Sequence, residues 1–133
     1  MAYSYPEIWL KDEIQTAAGI AAHPVMAPED AVMPFAIYQR KATERPLSLN
    51  PLTGNTPTVT MDVMIVSRSY MQGKDIAEAL RFGLCDFTGN ASGVIITSVA
   101  LVQQADGDAV EREGETIPDY IQELTFEIRY REN

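Results

Sequence analysis

One cysteine, one histidine and one tryptophan in 133 residues remove much chemistry at the outset. Cys85 alone cannot close an intrachain disulfide, and neither a zinc cluster nor a two-cysteine redox motif is available, which fits a reducing compartment. His23 lies between Ala22 and Pro24 with no placed nucleophile or second ligand, so it reads as a loop residue rather than a general base or a metal ligand. Cations are scarce too: 10 Lys and Arg against 19 Asp and Glu leave a formal charge of −9. Specific nucleic-acid binding is therefore not expected, because affinity for phosphate backbones comes from Lys and Arg displacing counterions. No stretch approaches about 18 uninterrupted apolar residues, so no membrane-spanning helix is expected. The opening Met1-Ala2-Tyr3-Ser4-Tyr5 lacks the basic and apolar regions of a signal peptide, and the expected location is the cytosol of the cell that makes the protein.

What is present points to a single domain over residues 1–133, with 46% hydrophobic and 22% charged residues. Ser4 and Glu7 stand in capping-box spacing with Pro6 in the first turn, so a helix is expected over Pro6 to Ala18, with Ile8, Trp9, Ile14 and Ala18 inward and Gly19 as its stop. Phe35 to Lys41 reads as a strand after Pro24, Pro28 and Pro34. From Thr58 to Val66 the period is two, with Val59, Met61, Val63 and Ile65 on one face. Ile76, Ala77, Leu80 and Leu84 set a second helix over Gln72 to Cys85. Val94 to Val102 and Tyr120 to Arg131 complete the strands, the last alternating Leu124, Phe126, Ile128 and Tyr130 against polar residues. The expected fold class is α+β, a mostly antiparallel four-stranded sheet with two helices packed on one face, in the order α-β-β-α-β-β.

Two connections stand out. Residues 43–57 carry Pro46, Pro51, Pro57 and Gly54 yet also Leu47, Leu49 and Leu52, which suits an arm that binds a partner. The connection 106–119 holds six acids against Arg112 alone. Its carboxylates could suggest calcium, but they lack the Gly-and-Glu frame of a calcium loop and read as a solvated or subunit-facing acidic loop. Gly89 and Gly93 bracket a turn with no following phosphate-binding Lys, Cys85 reads as a small core residue, and Trp9 at core spacing reads as core rather than a stacking platform. Neither a catalytic residue nor a metal or cofactor is expected, and the chain is not expected to be an enzyme.

In their order along the chain these segments resemble the small tail-completion, or tail terminator, proteins of long-tailed phages and prophages. The likeness lies in an opening amphipathic helix, the segments Pro34-Phe35-Ala36-Ile37-Tyr38-Gln39 and Thr60-Met61-Asp62-Val63-Met64-Ile65, a helix like Lys74-Asp75-Ile76-Ala77-Glu78-Ala79-Leu80, and a closing strand Leu124-Thr125-Phe126-Glu127-Ile128-Arg129-Tyr130. These motifs are structural and carry no catalytic signature. The resemblance implies a homo-oligomer, most often a hexameric ring, that sits at the head-proximal end of the tail in the virion. There it ends polymerisation of the tail-tube protein and presents a surface to the head-side connector protein. Related proteins of similar fold act as head–tail adaptors or stoppers, and a small cytosolic α/β binding module is the reading from outside that class.

A ring of identical subunits needs two unlike surfaces that meet. Arg40, Lys41 and Arg45 cluster at the start of the leucine-bearing loop, while Asp106, Asp108, Glu111, Glu113 and Glu115 lie in the acidic connection. The expected subunit contact brings the basic arm of one copy, with Leu47, Leu49 and Leu52 as its apolar part, against the acidic loop of the next. Two separately solvated loops are the alternative.

Overall fold

The computed structural model of the protein describes residues 5–28, 31–44, 57–85, 87–91, 94–107 and 119–131. Helix α1 (Pro6–Ala18) opens on Pro6, whose missing N–H costs nothing in a first turn. It closes at Gly19, which adopts φ 67° and donates its N–H to the Gln15 carbonyl. The capping box does not start this helix. Tyr5 is the N-cap and supplies no side-chain cap, Ser4 lies outside the described residues, and Glu7 turns to Arg40 instead. Trp9, Leu10 and Ile14 form the buried stripe, whereas Ile8 is 46% exposed. At 3.6 residues per turn Ile8 stands roughly 200° around the helix from Leu10, on the far side.

The remaining elements are β1 (Ala21–Pro24), β2 (Phe35–Glu44), β3 (Thr58–Ser67), α2 (Tyr70–Leu84), β4 (Gly89–Ala91), β5 (Val94–Asp106) and β6 (Tyr120–Arg131). They make one six-stranded sheet in the order β1-β2-β3-β6-β5-β4. β1 runs parallel to β2 and every other neighbouring pair is antiparallel. The four expected strands are the long inner ones, and the sheet departs from the four-stranded antiparallel expectation by a short strand at each edge, which makes it mixed. Neither addition carries a strand signal: Ala-Ala-His-Pro has no alternation, and Gly-Asn-Ala has the composition of a turn.

Pairing of β3 with β6 puts Val59 beside Ile128, Met61 beside Phe126 and Val63 beside Leu124. Ala36 and Tyr38 of β2, and Ile96 and Val99 of β5, extend this face on either side. The face is dry because Trp9, Leu10 and Ile14 of α1 and Ile76, Ala77, Leu80 and Leu84 of α2 join it in one buried cluster. Both helices therefore cover one side of the sheet, and among the described residues the side with Gln39, Asp62, Thr125 and Gln103 has no helix on it. Among the described residues no helix is long and apolar enough to cross a membrane.

Ser69 caps α2, its Oγ accepting the Gln72 N–H, and this starts the helix at Tyr70 rather than Gln72. The two helices approach most closely where Gly83 faces Ala17: a Cβ at 83 would lie 2.7 Å from the Ala17 Cβ. At an ordinary exposed helical site Gly→Ala gains about 1 kcal/mol. Here Gly83→Ala must push α2 off α1, so the variant is expected to lose about 1 kcal/mol or more. Urea unfolding midpoints check this, and a gain in stability would show that the helices do not meet there.

Candidate assembly surfaces

Arg40 and Lys41 are adjacent in β2 but are used differently. Arg40 turns to the helix side, where its guanidinium pairs with the Glu7 carboxylate and donates to Thr43 Oγ1 at 2.9 Å. Burial works against its charge, yet the hydrogen bond and negative charge of Glu7 raise its pKa above the ordinary arginine value. This cation is engaged within its own subunit and ties the first turn of α1 to β2. Lys41 is exposed, marks a β-bulge between Arg40 and Ala42, and lines the helix-free face.

Asp106, the last residue of β5, is also held within the subunit. It accepts from Lys74 Nζ at 2.9 Å, from Gln122 Nε2 at 2.8 Å and from the Tyr70 hydroxyl at 2.8 Å. Hydrogen bonds from Lys74, then Gln122 and Tyr70, lower its pKa to about 2. Gln122 is buried at 2% exposure, and the Tyr70 ring meets Tyr120 edge-on with centroids 6.1 Å apart. The node fastens the start of the acidic connection to the first turn of α2 and to β6.

Of the other residues expected at a subunit contact, Arg45, Leu47, Leu49, Leu52, Asp108, Glu111, Glu113 and Glu115 lie outside the described residues. The strands that lead to them are described. Glu44 is level with Thr58 and, across it, Arg129, while Asp106 is level with Gln122 and, across it, Ile65. Glu44 and Asp106 therefore stand at opposite ends of the sheet, and β3 and β6 separate their strands β2 and β5.

The helix-free face is hollowed into a depression of about 320 Å³ lined by Ile37, Gln39 and Lys41 on one side and Gln103 and Ala105 on the other. Its floor is mixed, with Thr125 donating to Asp62 at 3.0 Å beside Met64. Val25 stands at its rim with φ 63°, a left-handed conformation that a β-branched residue adopts only under strain. Its N–H is held by the Tyr38 carbonyl at 2.9 Å, and its side chain is 63% exposed, close in sequence to Met26 at 77% and Val32 at 79%. No sequence signal marks this apolar rim, because the segment reads only as a proline-punctuated connection.

The residues weighed for catalysis are dispersed. His23 is in β1 with its ring edge-on to Phe35, Cys85 is half-buried just beyond α2, and Trp9 is buried in the core against Phe87 with centroids 5.1 Å apart.

No family model and no curated protein matches the chain. Among solved structures it is similar to a chain of the virion of a native gene transfer agent particle, with a TM-score of 0.51 and 13% identity over 89% of this chain and 84% of that chain. At that identity the likeness is one of fold.

Two outcomes test these surfaces. Asp106 has a folded-state pKa below its ordinary 3.8, so its stabilising effect is complete above about pH 4 and is lost as pH falls through about 2. Asp106→Asn should therefore be less stable than the parent at pH 7, and the gap should close between about pH 4 and about pH 2 in urea titrations; a pH-independent gap would contradict the node. Val25→Asn, which tolerates φ 63°, should raise stability by about 1 kcal/mol in thermal melts. A lower melting temperature would mean that the valine side chain is worth more to the subunit than its strain costs.

Proposed function

We propose that the chain is a non-enzymatic structural protein of a tailed phage or phage-like particle. It forms a hexameric ring at the head-proximal end of the tail, caps the tail tube, ends tube polymerisation and offers the surface to which the head-side connector attaches. The observation that carries this reading is the shared fold, over 89% of the chain, with a chain of a gene transfer agent virion. The protein is made in the host cytoplasm and ends in the virion, with DNA passing through the ring without being gripped. No cofactor takes part.

The ring needs a heterologous contact, in which one surface of a subunit meets a different surface of its neighbour. The leucine-bearing segment that begins with Arg45 and the acidic segment after Asp106 follow strands that finish at opposite ends of the sheet, so they belong to unlike surfaces of the subunit. Lys41, Arg45 and the three leucines then meet the carboxylates at 108–115 of the next copy, with Arg40 and Asp106 holding the two bases in place.

The test adds purified protein to polymerising tail-tube protein and measures tube length and ring formation by electron microscopy. Short tubes capped at one end are expected. Lys41→Glu with Arg45→Glu should weaken ring formation, and Lys at Glu113 and Glu115 should partly restore it; Arg40 is left intact because its loss would unpair Glu7. An unchanged ring after the first swap removes the charged contact. Rings that join portal-side rings and ignore tubes assign the protein to the connector as an adaptor or stopper. A small oligomer that ignores both makes it a binding module unrelated to the tail.

A further inference from the structure

Among the described residues the two edges of the sheet are each only partly paired. β1 pairs with Phe35–Tyr38 of β2, and β4 pairs with Val94–Ile96 of β5. Among the described residues no backbone hydrogen bond reaches the outer side of Gln39–Glu44 or of Ser98–Asp106. Free edges of this length template pairing with another chain unless they are blunted. Here Gln39, Lys41, Ala42 and Glu44 are exposed on one edge, and Ala100, Val102, Gln103 and Gln104 on the other.

We infer that these two free edges pair with each other between copies, so that the sheet continues from one subunit into the next. The inference rests on the ring reading but replaces its charged contact with a main-chain one, since in the register that the edge strands allow the ends of β2 and β5 that lead into the two loops lie at opposite ends of the paired strands. Across the sheet β2 and β5 run in opposite directions, since each of the three steps between them is antiparallel. A second copy related by rotation alone therefore brings its β2 antiparallel to β5 of the first.

The edge strands then limit the register. Within one subunit Gln39 is level with Gln103, through Asp62 and Thr125. Docking a neighbour at that level would drive its β1 into Gln104–Asp106. Side-chain alternation allows only even shifts, because an odd one would oppose residues from different faces. A shift of two residues, roughly 7 Å, sets Gln39 opposite Ala105 and Glu44 opposite Ala100 and leaves β1 level only with Asp106, the last residue of β5.

Faces then match: Arg40 with Gln104 and Thr43 with Leu101 on the helix side, Glu44 with Ala100 on the helix-free side. The bulges of both strands, at Lys41 and Val102, fall within the paired segments. No like charges are opposed, and the two cations of the β2 segment face a β5 segment that carries none. A stagger of this kind is also what a sheet needs in order to close on itself. Each subunit would contribute β2, β3, β6 and β5 to a continuous wall.

The test replaces Glu44 and Ala100 by Cys in a Cys85→Ser chain. Within a subunit the two positions lie on strands three steps apart, roughly 14 Å, beyond the reach of a disulfide. Mild oxidation of assembled protein should give a covalent ladder that ends at the ring, and neither single-cysteine chain should go past a dimer. Hydrogen exchange of 39–44 and 100–105 should slow at least about tenfold on assembly of the parent protein. Rings visible by microscopy that neither cross-link nor protect these amides would overturn edge pairing and leave the ring reading standing. Failure of the parent to form rings, alone or on tube ends, would overturn both.

Discussion

Ten consecutive residue pairs join β3 to β6, from Thr58 beside Arg129 to Ser67 beside Tyr120, and their register decides which side chains of the sheet are dry. Because side chains alternate at a period of two, a slip of one residue would send Val59, Met61 and Val63 to the polar side and bring Asp62 and Thr60 under the helices. Neither helix could then bury its stripe, since Leu10, Ile14, Leu80 and Leu84 are covered chiefly by that sheet face and by each other. The same register sends Arg40 toward Glu7 and leaves the helix-free face with Gln39, Asp62 and Thr125. Among the described residues, the helices cover one side of the sheet and the two edges are paired only in part.

The two charged nodes complete that division. Glu7–Arg40 and Lys74–Asp106 each tie a helix to the strand that leads into a long connection, so both connections leave from fastened ends. The ion pairs themselves, partly exposed, add little to folding. Val25 is the opposite case: a strained, exposed apolar residue at the rim of the depression that gives the subunit little in return.

Much of the fold was legible because its main signals are periodic. The limits of α1 and of the last strand follow from Pro6, Gly19 and the alternation from Leu124 to Tyr130. Strands β2 and β5 extend beyond expectation, to Glu44 and Asp106, because their last residues include no fully buried position and so give no clear apolar alternation to read. β1 and β4 were invisible for want of any side-chain pattern. Glu7 was misread as a local cap: three-residue spacing satisfies the capping box on paper, but a cation thirty-three positions away competes for the same carboxylate. Of the candidate contact residues, Arg40, Lys41 and Asp106 are described, and two of these three turn out to be held by their own subunit. Composition shows which charges are present; only the fold shows which are already paired.

We propose that this subunit belongs to a virion and sits at the joint between head and tail. The most direct measurement is gold labelling of a tag at the carboxyl end of the chain in purified particles, viewed by electron microscopy. Gold confined to the head-proximal end of the tail is the predicted result, and particles that carry tails but never gold would contradict it.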